Sequence, residues 1–341
     1  MKKKLFIFSN ESISIEDNKY YCDNLDLKST PEGLNKKFEV NLLGRKSFKK
    51  RSHEIRLKRI KVFANIFSYL SEVKRATKNE DSKFLIISIS PYTFLVSLFI
   101  KILGGKPIVY LRSDGYGEYK AILGKIGLLI YHLMFIIVSK ISILISCRKY
   151  ILKGKQGKIV SPSQISFQWL SNLREIEINQ IKLLYVGRIK KEKGIFSLLK
   201  IIKNSKSDLQ LSIVGAEKNS SSQIGQNNVH VYEVENNEQS LIKLYDDHNI
   251  FVLPSYTEGH PMALIEALSR LRPVIIFKDI EHVIGDKKGI FVAERNSISF
   301  LKIINHIKEN YRNIQKEMKE NKLPTKEQFL KSFSDLISET N

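Results

Sequence analysis

The feature that most constrains this chain is a series of short, unbroken apolar runs, each followed by a stretch with helical spacing. Candidate strands cover residues 4–9, 38–43, 84–90, 107–111, 141–146 and 158–161, then 181–186, 209–214, 229–232, 250–253, 273–277 and 289–292. Most are continuous rather than alternating, the pattern of strands buried on both faces of a parallel sheet. Strand–helix alternation of this kind predicts an α/β chain. The series divides at a polar, strandless stretch, residues 162–180, that holds the only tryptophan, Trp169. With 341 residues and 43% hydrophobic content, each half can bury its own core. We therefore expect two Rossmann-like domains, residues 1–165 and 180–322, with parallel sheets facing across a cleft. Open α/β sheets bind ligands beyond the C-terminal ends of their strands.

Charge and cysteine content narrow the classes. Lys and Arg number 56 against 35 Asp and Glu, a net charge of +21. Such an excess suits a polyanionic partner, either anionic lipid, nucleic acid or phosphorylated substrates, or else a generic lysine-rich surface. No aromatic-interleaved basic motif and no zinc finger is present, which argues against nucleic acid. Cys22 and Cys147 lie far apart and have no Cys or His at metal-ligand spacing. We expect a reducing, cytoplasmic setting and no metal site. The start, Met1-Lys2-Lys3-Lys4-Leu5-Phe6-Ile7-Phe8, imitates a signal peptide, but its apolar run is short and acids follow at once, so it reads as a first strand.

Two segments bear on membranes. Residues 45–61 hold nine Lys or Arg and one acid, Glu54, with Ile60, Phe63, Phe67, Leu70 and Val73 behind them at helical spacing. This reads as a basic amphipathic helix, either packed on the sheet with its lysines in water or facing an anionic membrane. Residues 121–147 are apolar but interrupted by Lys125, His132 and Lys140. A membrane span needs about 20 consecutive apolar residues, so a buried helix followed by a strand is the better expectation.

The chemistry gathers in the second half. The strand at 250–253 runs into Pro254-Ser255-Tyr256-Thr257, then Glu258-Gly259-His260-Pro261, then an apolar helix bearing Glu266. Pro261 suits a helix start, where its missing N–H costs nothing. The N–H groups of Met262, Ala263 and Leu264 then lack helical partners and form an anion site with the helix dipole. Glu266 can accept two hydrogen bonds from a vicinal diol such as a ribose, and Glu258 can do the same for a sugar ring. Taken singly, either acid reads equally as a surface or helix-terminus charge. The strand at 181–186 leads to Gly187-Arg188, then Lys193-Gly194 and a helix. Arg188 can hold phosphate in a bidentate manner, and Lys193 adds a point charge. In the first half, the strand at 107–111 ends in Arg112-Ser113-Asp114-Gly115-Tyr116-Gly117-Glu118. Here Asp114 can orient a hydroxyl and Arg112 can meet a phosphate, or the segment is a surface turn with an Asx hydrogen bond.

The spacing Gly-Arg-x4-Lys-Gly, followed by Pro-Ser-x2-Glu-Gly-x-Pro-x4-Glu-Ala, resembles the donor domain of retaining glycosyltransferases of family 4, which have the GT-B fold. The similarity covers roughly residues 180–295 and includes Arg272-Pro273-Val274-Ile275, where Arg272 stands in place of the usual Gly. The resemblance implies a nucleotide-diphosphate sugar as donor, with Arg188 and Lys193 on the diphosphate, Glu266 on the ribose and Glu258 beside the transferred sugar. It also implies that a last helix within residues 323–341 crosses back to the first domain. Two departures stand out. The second donor-domain strand ends in Val214-Gly215-Ala216-Glu217, with one Gly instead of a Gly-x-Gly turn, and Gly215 is carried over as a donor contact. The first strand is followed by Ser9-Asn10-Glu11-Ser12, without glycine.

The combined expectation is a metal-independent hexosyltransferase using Arg188, Lys193, Glu258 and Asp114. A polyprenyl-diphosphate-linked saccharide of surface polysaccharide assembly is the expected acceptor, and the cytoplasmic face of an anionic membrane the expected location. A GT-B-fold epimerase acting on the nucleotide sugar itself is the rival enzyme. A Rossmann dehydrogenase is disfavoured, because no Gly-x-Gly-x-x-Gly follows any strand.

Overall fold

Continuous apolar runs become parallel strands throughout a computed structural model, which describes residues 2–79, 81–174, 178, 180–205, 209–216 and 228–340. The chain divides into two compact units, residues 1–162 with 327–341, and residues 163–326.

In the first unit the order is β1 (Lys4–Glu16), β2 (Lys19–Cys22), α1 (Leu25–Leu34), β3 (Glu39–Lys46), β4 (His53–Ile55), β5 (Ile60–Phe63), α2 (Ile66–Thr77), β6 (Lys83–Ile87), α3 (Pro91–Ile102), β7 (Pro107–Leu111), α4 (Gly115–Ile141), β8 (Ile143–Ser146) and β9 (Lys158–Ile159). The parallel sheet runs β5-β3-β1-β6-β7-β8-β9, so strand order reverses between β1 and β6. The far half of β1 pairs antiparallel with β2, which pairs in turn with β4.

In the second unit α5 (Phe167–Leu170) precedes β10 (Lys182–Val186), α6 (Ile195–Ser205), β11 (Gln210–Ala216), β12 (Val229–Glu233), α7 (Glu238–Asp246), β13 (Ile250–Leu253), α8 (Met262–Ser269), β14 (Val274–Phe277), β15 (Ile290–Ala293) and α9 (Ser297–Met318). All pairings in its sheet, β12-β11-β10-β13-β14-β15, are parallel, and order reverses between β10 and β13. The last helix, α10 (Lys326–Glu339), belongs to the first unit. The ring of its Phe333 lies tilted against Tyr110 of β7, 4.6 Å between centres, and Lys37 pairs with its Asp335.

Several expectations need correction. Residues 45–61 are not a helix. They comprise the end of β3, a loop, β4 and the start of β5, and the helix begins only at Ile66. Dense lysine conceals short strands that pair at the sheet edge, where charged side chains face water. The Ser9–Ser12 stretch is not a loop but a continuation of β1, with a shift of register between Phe8 and Ser12. The apolar run at 121–147 does give a helix and then β8, yet the helix is not buried. On α4 only Gly115, Gly127, Tyr131, Met134, Phe135 and Val138 are enclosed. Their apolar neighbours on the other face lie open, and the helix is interrupted at Gly124 (φ 63°).

A buried charge cluster joins the connecting segment to the second unit. Arg270, 2% exposed, places a two-pronged guanidinium on Asp246 at 2.9 and 2.7 Å. It also donates to the carbonyls of Trp169, Ser171 and Asn172. Arg272 donates to Asp246, to the Tyr245 carbonyl and to the Arg174 carbonyl. The arginine at position 272 thus has a structural role, fastening residues 169–174 to the end of α7 together with Arg270. Two cations on one carboxylate are tolerable in the interior because backbone carbonyls take the remaining N–H groups.

Candidate functional site

The reversal of strand order in the second unit brings two loops together, one leaving β10 and one leaving β13. Their approach is close. Gly194 has φ 69°, and a Cβ there would lie 1.8 Å from the Pro254 carbonyl oxygen. The backbone N–H of Tyr256 donates to the Glu192 carbonyl at 3.0 Å, tying the two loops directly. Gly215, at the exit of β11 with φ 119°, allows an equally close approach, since a Cβ there would meet the Gly187 carbonyl oxygen at 2.4 Å. Glycine is needed at both positions because the backbone conformation and the neighbouring backbone each exclude a side chain.

This packing brings Lys193 to Glu258. The ammonium donates to Glu258 Oε1 at 2.7 Å, and the Ser255 hydroxyl donates to the same oxygen at 2.7 Å. Lys193 is therefore more than a free point charge. It holds one oxygen of Glu258 and retains N–H donors for a second acceptor. The Glu258 carbonyl lies 2.8 Å from His282 Nε2. Arg188 stands at the other side of the loop. Its carbonyl accepts from Tyr185 Oη at 2.8 Å, while its side chain is exposed and makes no ion pair among the described residues.

Beyond Glu258, Gly259 and His260 lead into α8. Pro261 is the N-cap rather than the first helical residue, and it supplies no side-chain cap. The first N–H groups, at Met262, Ala263 and Leu264, thus open the helix without a capping side chain, and Met262 and Ala263 are partly exposed. Glu266 lies in the second turn. Its Oε2 accepts from Tyr245 Oη at 2.8 Å. Burial, and then the Glu266 carboxylate, push the Tyr245 hydroxyl far above its ordinary pKa, so it remains a donor. Tyr245 itself packs edge-on against Trp169 at 5.4 Å.

Three residues of this site escaped the sequence reading. Tyr245 fixes Glu266, and His282 touches the Glu258 backbone. Arg295 donates to the Pro254 and Ser255 carbonyls at 2.9 and 3.2 Å and pairs with Asp279. Its guanidinium also lies 4.0 Å from the Tyr256 ring centre and 4.6 Å from that of Phe277. No local spacing announces any of them, because each acts on the loop from a distant element. Glu217 lies outside the described residues.

In the first unit, Asp114 is the N-cap of α4 but makes no side-chain cap, so there is no Asx hydrogen bond. Its Oδ1 is buried without a hydrogen-bond partner among the described residues. Arg112, expected to meet a phosphate, is engaged by acids and an amide of its own unit. It donates to Asn24 Oδ1 at 2.8 Å and lies 3.4 Å from Asp26 and 3.9 Å from Glu11. Burial opposes its charge, but Asp26 and Glu11 outweigh burial and raise its pKa. Among the described residues, no group of three or more His, Cys, Asp or Glu side chains could hold a metal ion.

Two parallel sheets of this order, with paired loops at the reversal of the second, define an α/β protein of the GT-B fold. Residues 172–323 match the family of glycosyl transferases group 1. The chain is 35% identical over 100 residues to a candidate teichuronic acid biosynthesis glycosyltransferase, TuaC, of Bacillus subtilis strain 168. That match spans 29% of this chain and 25% of the relative. The structure is similar to HepE of Anabaena, solved in complex with UDP and glucose, with a TM-score of 0.66 at 14% identity over 100% of this chain and 99% of that one. It is also similar to WaaG, a glycosyltransferase involved in lipopolysaccharide biosynthesis, with a TM-score of 0.66 at 13% identity over 98% and 100% of the two chains.

Proposed function

We propose that this chain is a retaining, metal-independent glycosyltransferase that moves a hexosyl group from a nucleotide-diphosphate sugar to a hydroxyl of a lipid-linked saccharide. The observation that carries the reading is the pairing of loops at the reversal between β10 and β13. It gathers an exposed Arg188, the Lys193–Glu258 pair and the start of α8, with Glu266 behind. Arg188 and Lys193 would face the donor diphosphate, and the α8 amides would add partial positive charge. Glu266, held by Tyr245, would take the ribose hydroxyls, and Glu258 the hydroxyls of the transferred sugar. The anomeric carbon–phosphate oxygen bond breaks, and the acceptor oxygen bonds to the same carbon from the same face. The acceptor proton passes to the departing diphosphate, whose charge the two cations stabilise. On the first unit, Asp114 would orient the acceptor hydroxyl.

A saccharide acceptor is in keeping with the relative 35% identical over 100 residues, whose name places it in teichuronic acid biosynthesis. A cytosolic nucleotide sugar and a lipid-linked acceptor together put the enzyme at the cytoplasmic face of a membrane. A panel of nucleotide sugars tests the donor half. The wild-type chain should hydrolyse one of them slowly without acceptor, and Arg188→Ala and Glu258→Ala should lose that activity while still melting cooperatively. Full activity in either variant removes the assignment. Chelator should leave the rate unchanged, and a chelator-sensitive rate restored by a divalent cation would replace the two-cation mechanism.

A further inference from the structure

Ile122, Leu123, Ile126, Leu129 and Leu133 of α4 are 74%, 52%, 69%, 60% and 55% exposed. They follow helical spacing on the face opposite Tyr131, Met134, Phe135 and Val138, which pack into the core of the first unit. Isolated exposed leucines need no explanation, but a face of this kind, on the order of several hundred Å², marks an interaction site. The helix is firmly seated. Its two segments, either side of Gly124, are joined by a 2.8 Å hydrogen bond between Tyr116 Oη and His132 Nδ1. On α3, which packs beside α4, Ile102 is 77% exposed.

Charge decides what covers this face. From residue 82 to residue 174 the only acids are Asp114 and Glu118, both at the start of α4. The same stretch carries Lys101, Lys106, Lys120, Lys125 and Lys140 on or beside α3 and α4. A protein partner with an apolar patch would gain little from the excess of positive charge around it, whereas an anionic bilayer is complementary to both features. At 27 residues α4 is long enough to cross a membrane. Its inner face, however, is committed to the sheet of its own unit, so it can only lie in the interface.

We propose that the outer face of α4, with the lysines flanking it, is a membrane-docking surface that inserts into anionic bilayers parallel to their plane. This places docking on α4 and not on the basic segment 45–61. It does not rest on the proposed transfer reaction, because vesicle binding is read without turnover.

The test is flotation of the full chain with phosphatidylcholine vesicles with and without phosphatidylglycerol. Wild type should float with the anionic vesicles, and this should weaken as salt is raised. The triple variant Ile126→Glu, Leu129→Glu, Leu133→Glu alters exposed positions only, and should lose binding about tenfold or more while keeping its melting temperature. Lys120→Gln with Lys125→Gln and Lys140→Gln should lower the preference for anionic lipid. Leu129→Trp should show an emission blue shift on adding vesicles, against the constant background of the buried Trp169. Each of the following would overturn the proposal: no wild-type flotation, unchanged flotation of the triple variant, or no shift at Trp. So would binding that is lost only on substituting Lys49 and Lys50, which would move docking to the loop. Self-association abolished by the triple variant, without vesicle binding, would overturn it too and assign the face to a second copy of the chain.

Discussion

Six parallel strands of the first sheet follow the order of the six in the second, and the units differ in what stands where that order reverses. In the first unit the end of β1 beside the reversal is tied to β3 by a buried side chain. Tyr69, 1% exposed, accepts from the Ser9 N–H at 3.1 Å and donates to the Leu43 carbonyl at 3.0 Å. Nearby, Arg112 is held by Asn24, Asp26 and Glu11. In the second unit the reversal is left open. Arg188 is exposed and without an ion pair among the described residues, Lys193 and Glu258 share one contact, and α8 begins without a side-chain cap. Strand ends of one topology can therefore be tied to their own unit or leave charged groups exposed, and the difference lies in a few residues there. What the first unit presents to its surroundings is instead the apolar outer face of α4.

The comparison breaks most readily at Arg188. Arg188→Ala should lower turnover on the order of 10²–10³-fold, the cost of removing one preorganised group at developing charge. Steady-state rates on the donor identified by the hydrolysis panel would show it, and a fall of less than about fivefold would mean the open reversal is not the working site. Next is Asp246→Ala, which leaves Arg270 and Arg272 buried without their carboxylate. It should cost about 3–5 kcal/mol in denaturant unfolding of the second unit. Gly194→Ala should cost roughly 1–3 kcal/mol from its backbone conformation alone, with the clash against Pro254 added. It should also weaken donor binding, because the two loops must separate. Tyr245→Phe should be milder, losing about 1 kcal/mol and raising the KM for donor several-fold with little change in kcat. A smaller effect is expected in the first unit. Burial pushes Cys22 and Cys147 up to about 12, so both remain thiols at pH 8. Alkylation followed by mass spectrometry should be slow until the unit unfolds.

The parallel strands other than β5, which its lysine-rich surroundings hid, were legible because burial on both faces leaves a continuous apolar signature, as in Ile250–Leu253 and Val274–Phe277. The short antiparallel additions were not. β2 (Lys-Tyr-Tyr-Cys) and β4 (His-Glu-Ile) are too brief and too polar to stand out from turns, and lysine around 45–61 suggested a helix instead. Helical spacing on α4 was legible, but periodicity reports which residues share a face and not whether that face meets protein or something else. Within the candidate site, the loop residues from Arg188 to Glu266 were legible because they sit in consecutive sequence after two strand ends. Tyr245, His282 and Arg295 were not, since each reaches the loops from another element and has no sequence neighbour to mark it. In the sequence, Arg272 is marked only as a departure from the usual glycine. Its role follows from Asp246, 26 residues earlier, and from the carbonyls of the connecting segment.

Binding of a nucleoside diphosphate at the open reversal of the second unit is the point on which the proposed activity stands or falls. Isothermal titration of the full chain with UDP, GDP, ADP, CDP and dTDP in turn, repeated on Arg188→Ala and Glu266→Gln, measures this without an acceptor or a membrane. One nucleotide should bind the wild type, and each variant should weaken it by about tenfold, roughly 1.4 kcal/mol. Binding of none of the five to the wild type, or equal affinity in both variants, would contradict the assignment.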